Sequence, residues 1–315
     1  APGWSEVTGA PLRGPVLWLT GLGAVRQVVT STGFGQAVAR RFVAGETLED
    51  GMAAARGLAG RGIRSMLDHL GENVTSASQA SAAADAYVLA LKRIEESEGL
   101  DCNISVKLTQ LGLDLGMDLC LENTERVLTA AEPARTQVMI DMESHEYVEP
   151  TLDAMRRLRA RFDNVGVCLQ SYLRRTTEDA FRLPSGAPIR LVKGAYLEPA
   201  SVAYRRRRDV DRAFAVLFAT LVERGHPVHV ATHDPRILEG AVRLVDRRRI
   251  GWDRVELQML YGIRRDLQQG YADRGYPVRA YIPYGSQWYP YLTRRLAERP
   301  ANVWFFVSNL VRRDR

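Results

Sequence analysis

The sequence predicts an α/β chain folded as a (βα)8, TIM-like barrel with an N-terminal helical arm. Three observations predict it. After residue 62, eight short runs rich in β-branched and aliphatic residues each precede a stretch of helical period. They recur about every 30 residues, the length of one βα unit. Most of the runs are apolar at consecutive positions, as strands buried on both faces are. Eight units suit a closed barrel better than an open doubly wound sheet, and no GxGxxG follows the first run to favour the latter.

The expected strands are Ile63–Leu67, Asn103–Leu108, Gln137–Asp141, Val165–Leu169, Ile189–Val192, Val228–Ala231, Val255–Gln258 and Val278–Ile282. Between them lie amphipathic stretches such as Ala77–Glu96, Ala203–Glu223 and Pro235–Arg248, whose apolar residues return every three or four positions. Residues 1–62 hold helical patterns at Ala24–Thr30, Gln36–Phe42 and Leu48–Leu58 but no convincing strand, so they are expected as an arm packed on the barrel of residues 63–315. No linker or low-complexity tract divides the chain further.

Composition sets limits around this reading. The 315 residues are 46% hydrophobic and 25% charged, outside the range of disordered or fibrous chains. Cys102, Cys120 and Cys168 are odd in number and lack CxxC spacing, which argues against a disulfide framework or a zinc site and fits a reducing cytoplasm. No apolar run reaches the ~18 residues of a spanning helix, although a peripheral contact with the inner membrane stays open. The net charge of +6 is mild, and the runs Arg205–Arg208 and Arg247–Arg249 fall on helix faces without interleaved aromatics, so no nucleic-acid partner is expected.

Of the 43 basic residues only three, Lys92, Lys107 and Lys193, are lysine. Two of those three stand at strand ends, and in a βα barrel the carboxyl ends of the strands carry the chemistry. The other strand ends are also polar: Asp68 and His69, Ser105, Asp141 and Glu143, Gln170, Arg190, Thr232 with His233 and Asp234, Gln258, and Tyr281. One strand-end Asp or Thr commonly caps the next helix, but eight polar ends together point to one pocket. A lysine there suits a Schiff-base amine, or a cation facing a carboxylate, a phosphate or a reduced flavin. In the last segment Tyr291, Arg294, Arg295 and Glu298 share one helix face, a spacing suited to gripping a carboxylate through forked hydrogen bonds.

Taken together, ISVKLTQLGLDL (104–115), IDME (140–143), RLVKGAY (190–196), ATHD (231–234), ELQMLYG (256–262) and YLTRRLAERPAN (291–302) resemble the proline dehydrogenases, FAD-dependent barrel enzymes. The similarity spans roughly residues 63–310, and RLVKGAY followed by Y-x-x-R-R-x-x-E is its specific part. The resemblance implies hydride removal from the CH–NH unit of L-proline, giving Δ1-pyrroline-5-carboxylate, with electrons passed to a quinone and the product open to a separate pyrroline-5-carboxylate dehydrogenase. It implies that Arg294, Arg295 and Lys107 hold the substrate carboxylate and Glu298 braces the arginines. Asp141 would stand beside the pocket against Lys107 or Tyr281, with Tyr196, Leu260, Tyr281 and Tyr291 walling the ring. FAD contacts would come from Gln170, Arg190, Val192, Lys193, Gly194, Ala195, Thr232 and His233, with Arg190 near the flavin N5. No metal is implied. The competing reading is a Schiff-base aldolase or lyase using Lys107 or Lys193.

Arg294→Met or Arg295→Met is expected to raise KM for proline by tens-fold, since a charge-assisted hydrogen bond contributes roughly 1.5–3 kcal/mol. Steady-state kinetics with an unchanged KM would remove the carboxylate role from this helix.

Overall fold

The computed structural model describes residues 41–298. The eight strands form a closed, all-parallel barrel in chain order, β1 to β8, with β8 returning to pair with β1. They are β1 Arg64–His69, β2 Cys102–Val106, β3 Val138–Ile140, β4 Val165–Gln170, β5 Ile189–Val192, β6 Val228–Ala231, β7 Val255–Leu260 and β8 Val278–Tyr284. Four of the sequence-expected strands, β3 to β6, match within a residue at both ends, while β1, β7 and β8 run two residues further at their carboxyl ends and β2 stops two residues earlier. The extension comes from ladder pairing that carries on to the rim, as in His69 opposite Tyr284 and Leu260 opposite Tyr281. Lys107 and Asp141, expected inside strands, stand just past the ends of β2 and β3.

The helices are α1 Leu48–Ala59, α2 Ala77–Glu95, α3 Met117–Ala131, α4 Val148–Arg159, α5 Thr176–Phe181, α6 Arg207–Glu223, α7 Pro235–Arg248, α8 Arg265–Asp273 and α9 Trp288–Glu298. Their starts follow local chemistry. In α1 the Thr47 hydroxyl accepts from the Asp50 N–H while the Asp50 carboxylate accepts from the Thr47 N–H, a reciprocal cap. In α7 Asp234 caps and Pro235 opens the first turn. The expected helix from Ala203 begins four residues later, because Ala203 bridges to Leu173 and Arg206 is extended. Among the described residues no helix is long and apolar enough to cross a membrane.

Helix α2 shows how the outer layer is made. Ala80, Ala83, Ala84, Tyr87, Ala90, Leu91 and Ile94 are buried at helical spacing, small side chains that let the helix lie close on the barrel. The apolar strand residues Leu67, Ile104 and Val106 belong to the same buried cluster as these helix residues. The alternate strand positions are different: Asn103, Ser105, Arg190, His229, Glu256, Gln258 and Arg279 are all buried and polar. The runs, most of them expected to be apolar at consecutive positions, are therefore apolar toward the helices and polar toward the barrel axis, which the period of two permits.

Of the expected N-terminal arm, Leu48–Ala59 packs beneath β1 and β8, with Gly51 letting the helix approach Leu67 and Tyr284. The arm's residues 1–40 lie outside the described residues, as do residues 299–315. Many helix-face arginines are held in ion pairs: Arg207 with Asp234 and Asp211, Arg208 with Asp209, and Arg248 with Glu223.

Gly166 on β4 stands where the barrel wall leaves no room for a side chain, since a Cβ there would stand 2.5 Å from the Met139 sulfur and 2.7 Å from the Pro188 carbonyl oxygen. Gly166→Ala is expected to destabilise the fold by about 1–3 kcal/mol through overpacking. A shift of the urea midpoint to lower concentration checks this, and an unchanged midpoint would show that the wall yields.

Candidate active site

The carboxyl ends of the strands enclose a cavity of about 350 Å3, within the ~300–1,000 Å3 of small-molecule sites. Every sequence-predicted site residue whose side chain is described lines it: Lys107, Asp141, Gln170, Arg190, Val192, Lys193, Gly194, Ala195, Tyr196, Thr232, His233, Leu260, Tyr281 and Tyr291. Arg294, Arg295 and Glu298 belong to helix α9, but their side chains lie outside the described residues. Tyr291, one turn earlier on the same helix, is buried at the cavity wall.

The floor is built around Asp141. Its Oδ1 accepts from Ser105 Oγ at 2.7 Å and Arg190 Nη1 at 2.5 Å, and its Oδ2 accepts from Tyr281 at 2.7 Å and Lys107 Nζ at 3.1 Å. The sequence reading offered Lys107 or Tyr281 as the partner of Asp141; both are. Burial alone would raise the Asp141 pKa, but Lys107, Arg190 and the hydrogen bonds from Ser105 and Tyr281 outweigh it and hold the carboxyl at about 2. Asp141 is an anion at any working pH.

Lys107 gives a second hydrogen bond, 2.9 Å, to Asp68 Oδ1, while its third neighbour, the Tyr281 hydroxyl, is at 3.5 Å. The ammonium thus has one weakly committed N–H beside the cavity. Burial would lower its pKa, yet the surrounding carboxylates raise it well above the ordinary value, so Lys107 is a fixed cation. Asp68 is fully buried, and burial raises its pKa against the pull of Lys107. Its Oδ2 has no hydrogen-bond partner among the described residues.

Arg190, 4% exposed, is held on all sides. Besides Asp141 it donates from Nη1 to Ser105 and from Nε to Gln258, touches the Met66 sulfur, and stacks 5.1 Å above the Tyr281 ring. Burial and the nearby carboxylates push the Tyr281 hydroxyl well above its ordinary range, so it stays protonated and donates.

One wall is β5 and its following loop. Gly194 has φ +124, and an added Cβ would stand 2.2 Å from the Tyr172 ring, so glycine is required there by a packed aromatic neighbour. Lys193 does not stand free beside the cavity: its Nζ is 2.6 Å from Asp211 and 2.8 Å from Asp234. On the β6 side, Asp234 takes the helix-capping role while Thr232 and His233 face the cavity. His233 Nε2 accepts from the Leu260 N–H at 2.9 Å, so that nitrogen carries no proton. Gln170 donates from its amide to the Glu143 carbonyl at 2.9 Å.

Asp68 and Gln258, polar strand ends to which the sequence alone assigns no role, also line the cavity. The available signal for Gln258 was the polar alternation Glu256-Leu257-Gln258 on a buried strand. Among the described residues no group of three or more His, Cys, Asp or Glu could hold a metal ion.

Glu143 yields a pH test. It is buried, accepts from Thr109 at 2.8 Å, and burial pushes its carboxyl up to about 7 from 4.5. The folded form therefore favours the protonated acid. Its stabilising contribution is full below pH 4.5 and is lost as pH rises through about 7. Glu143→Gln, which keeps the Thr109 contact, is expected to raise stability at pH 8 by on the order of 2–3 kcal/mol and to leave pH 4 nearly unchanged. Urea unfolding at the two pH values checks it; an equal effect at both would contradict the shift.

Comparisons with known proteins give the family. The family model described as "Proline dehydrogenase" matches residues 52–307. The proline dehydrogenase of Deinococcus radiodurans is 42% identical over 281 residues, covering 87% of this chain and 90% of that protein. Proline dehydrogenase 2 of Bacillus subtilis is 35% identical over 298 residues, covering 94% and 98%. Bifunctional protein PutA of Escherichia coli is 27% identical and is covered over only 23% of its length. In three dimensions the chain superposes on proline utilization A from Bdellovibrio bacteriovorus with a TM-score of 0.77 at 23% identity, covering 83% of this chain and 32% of that one. It thus spans about a third of the solved structure it matches. With its barrel, its cavity and these relatives in agreement, the chain belongs to the proline dehydrogenase family.

Proposed function

We propose that this chain oxidises L-proline to Δ1-pyrroline-5-carboxylate, passing hydride to a bound FAD and electrons onward to a quinone in proline catabolism. The observation that carries the reading is the floor of the cavity, where Lys107, Asp141, Arg190 and Tyr281 form one locked network under an open, largely apolar volume. Family membership supplies the substrate.

The residues present fit a flavin. Val192, Ala195, Ala231 and Met259 offer small or apolar walls to a flat ring, and the Arg190 guanidinium lies beneath as a permanent cation. Gln170, Val192, Lys193, Gly194, Ala195, Thr232 and His233 are the residues assigned to hold it, with Arg190 at the N5 side. When bound, the flavin supplies the hydride acceptor. The protein's part is to fix the substrate and to favour the charge that develops on reduction, which a preorganised cation does without reorganising. The N–H of Lys107 that is only weakly committed to Tyr281 is assigned to the substrate carboxylate together with Arg294 and Arg295, braced by Glu298. Gripping that carboxylate aims the neighbouring C–H, an orientation effect. Tyr196, Leu260, Tyr281 and Tyr291 wall the ring and keep water from it.

The aldolase reading asks for a neutral amine as nucleophile. Lys107 lies between two carboxylates that hold it as an ammonium, and the Lys193 Nζ is taken up by ion pairs with Asp211 and Asp234. That observation favours the dehydrogenase. We further assign residues 63–315 to the catalytic barrel and 1–62 to a helical arm. The chain is assigned to the cytoplasm with peripheral contact to the inner membrane, where a quinone is reached. The product is suited to release toward a separate pyrroline-5-carboxylate dehydrogenase.

The purified protein is expected to be yellow with FAD and to bleach on anaerobic addition of proline. A colourless protein that neither takes up FAD nor is reduced by proline would sink the proposal.

A further inference from the structure

A single hydrogen-bonded ladder runs inside the barrel from the cavity floor to the opposite rim. Arg190 Nε donates to Gln258 Oε1 at 3.0 Å, and Gln258 Nε2 donates to Glu256 Oε1 at 2.9 Å. The same Glu256 oxygen accepts from Arg279 Nε at 2.8 Å, while Oε2 accepts from Arg64 Nη1 at 3.1 Å. Arg279 is anchored in turn to the Ser65 carbonyl at 2.6 Å and to Asp101 at 2.8 Å. Gln258, Glu256 and Arg279 are all buried.

The two ends of the Gln258 amide are not equivalent here. Glu256, kept ionised by Arg279, accepts only, so it takes the amide N–H and turns the amide oxygen toward Arg190. Arg190 in turn has no acceptor of its own, so the contact works in one sense only. The main chain is held as well, since the Gln258 carbonyl accepts from the Thr232 N–H at 3.1 Å. Gln258 also lines the cavity. Asp141 grips one side of the guanidinium and Gln258 the other, which fixes both the position and the plane of the cation.

We infer that Gln258, oriented by Glu256, is a positioning residue that sets where the Arg190 cation stands against the bound flavin and so tunes how readily the flavin is reduced by the substrate. The inference rests on the flavin reading given above. It separates Gln258 from a residue that only fills the barrel, because a filling role would change stability and leave the redox equilibrium alone. The magnitude is that of one hydrogen bond to a charged group, which is worth about ten-fold in an equilibrium or rate.

The test uses the FAD-loaded full chain and two variants. Gln258→Met keeps the volume and removes the amide. Gln258→Glu places an anion against Arg190 and beside Glu256. Flavin content, the flavin midpoint potential by dye equilibration, and kcat and KM for proline are measured on each. Gln258→Met is expected to bind FAD fully, to lower the midpoint potential, and to reduce kcat about ten-fold with KM for proline changed less than about two-fold. Gln258→Glu is expected to lower the potential further, since the added anion offsets the cation. Should Gln258→Met not fold, Gln258→Glu decides the matter by the same readouts. Flavin-loaded variants with wild-type potential and kcat overturn the positioning role alone. A wild-type chain that takes up no flavin overturns the flavin reading and this proposal with it.

Discussion

Everything at the cavity floor depends on keeping charge buried, and Asp141 is the group that makes it tolerable. A lone carboxylate or ammonium inside a barrel would neutralise itself rather than stay charged. Asp141 avoids this by accepting four hydrogen bonds from three strands' worth of partners: Ser105 and Lys107 at β2, Arg190 on β5 and Tyr281 on β8. With Asp68 against Lys107, two carboxylates face two cations. Removing one member would leave the others unpaired in low dielectric, which is why such clusters contribute rigidity more than net stability.

That rigidity has a direction. From Asp141 the contacts continue through Arg190, Gln258 and Glu256 to Arg279, so the floor is joined to the far rim by side chains that each have only one satisfactory orientation. The walls are built differently. Val192, Ala195, Ala231 and Leu260 present apolar surface to the cavity, and the loop after β5 turns at Gly194 because Tyr172 fills the space a side chain would need. A stiff charged floor under apolar walls suits a site that must aim one bond.

The fold was legible because its signal is local. The apolar positions of strands such as Val165–Gln170 and Ile189–Val192 have to face helices, and the helical stretches have to supply alanine and leucine at three- and four-residue intervals to meet them. The scarcity of lysine made Lys107 and Lys193 visible, yet position along a strand could not separate their circumstances. Lys107 is committed to the cavity floor, whereas Lys193 is also bound sideways to Asp211 from helix α6. Asp211 lies 18 residues on in the chain, and no local pattern links the two. Glu143 is a similar case: its neutral tendency comes from burial beside Thr109, which the motif IDME does not carry.

By itself the sequence determined the number and order of the βα units and which residues stand at the strand ends, because both follow from periodicity along the chain. The tertiary structure alone decided which of those residues touch. Strand-end residues on β2, β3, β5 and β8 meet only because the barrel closes, and closure brings Lys107 and Tyr281 together across 174 positions of sequence. It also decided that the polar alternations of β7 and β8 face the axis and join into one ladder. Hydrogen bonds of that kind depend on register and barrel curvature, and neither is written in any single strand.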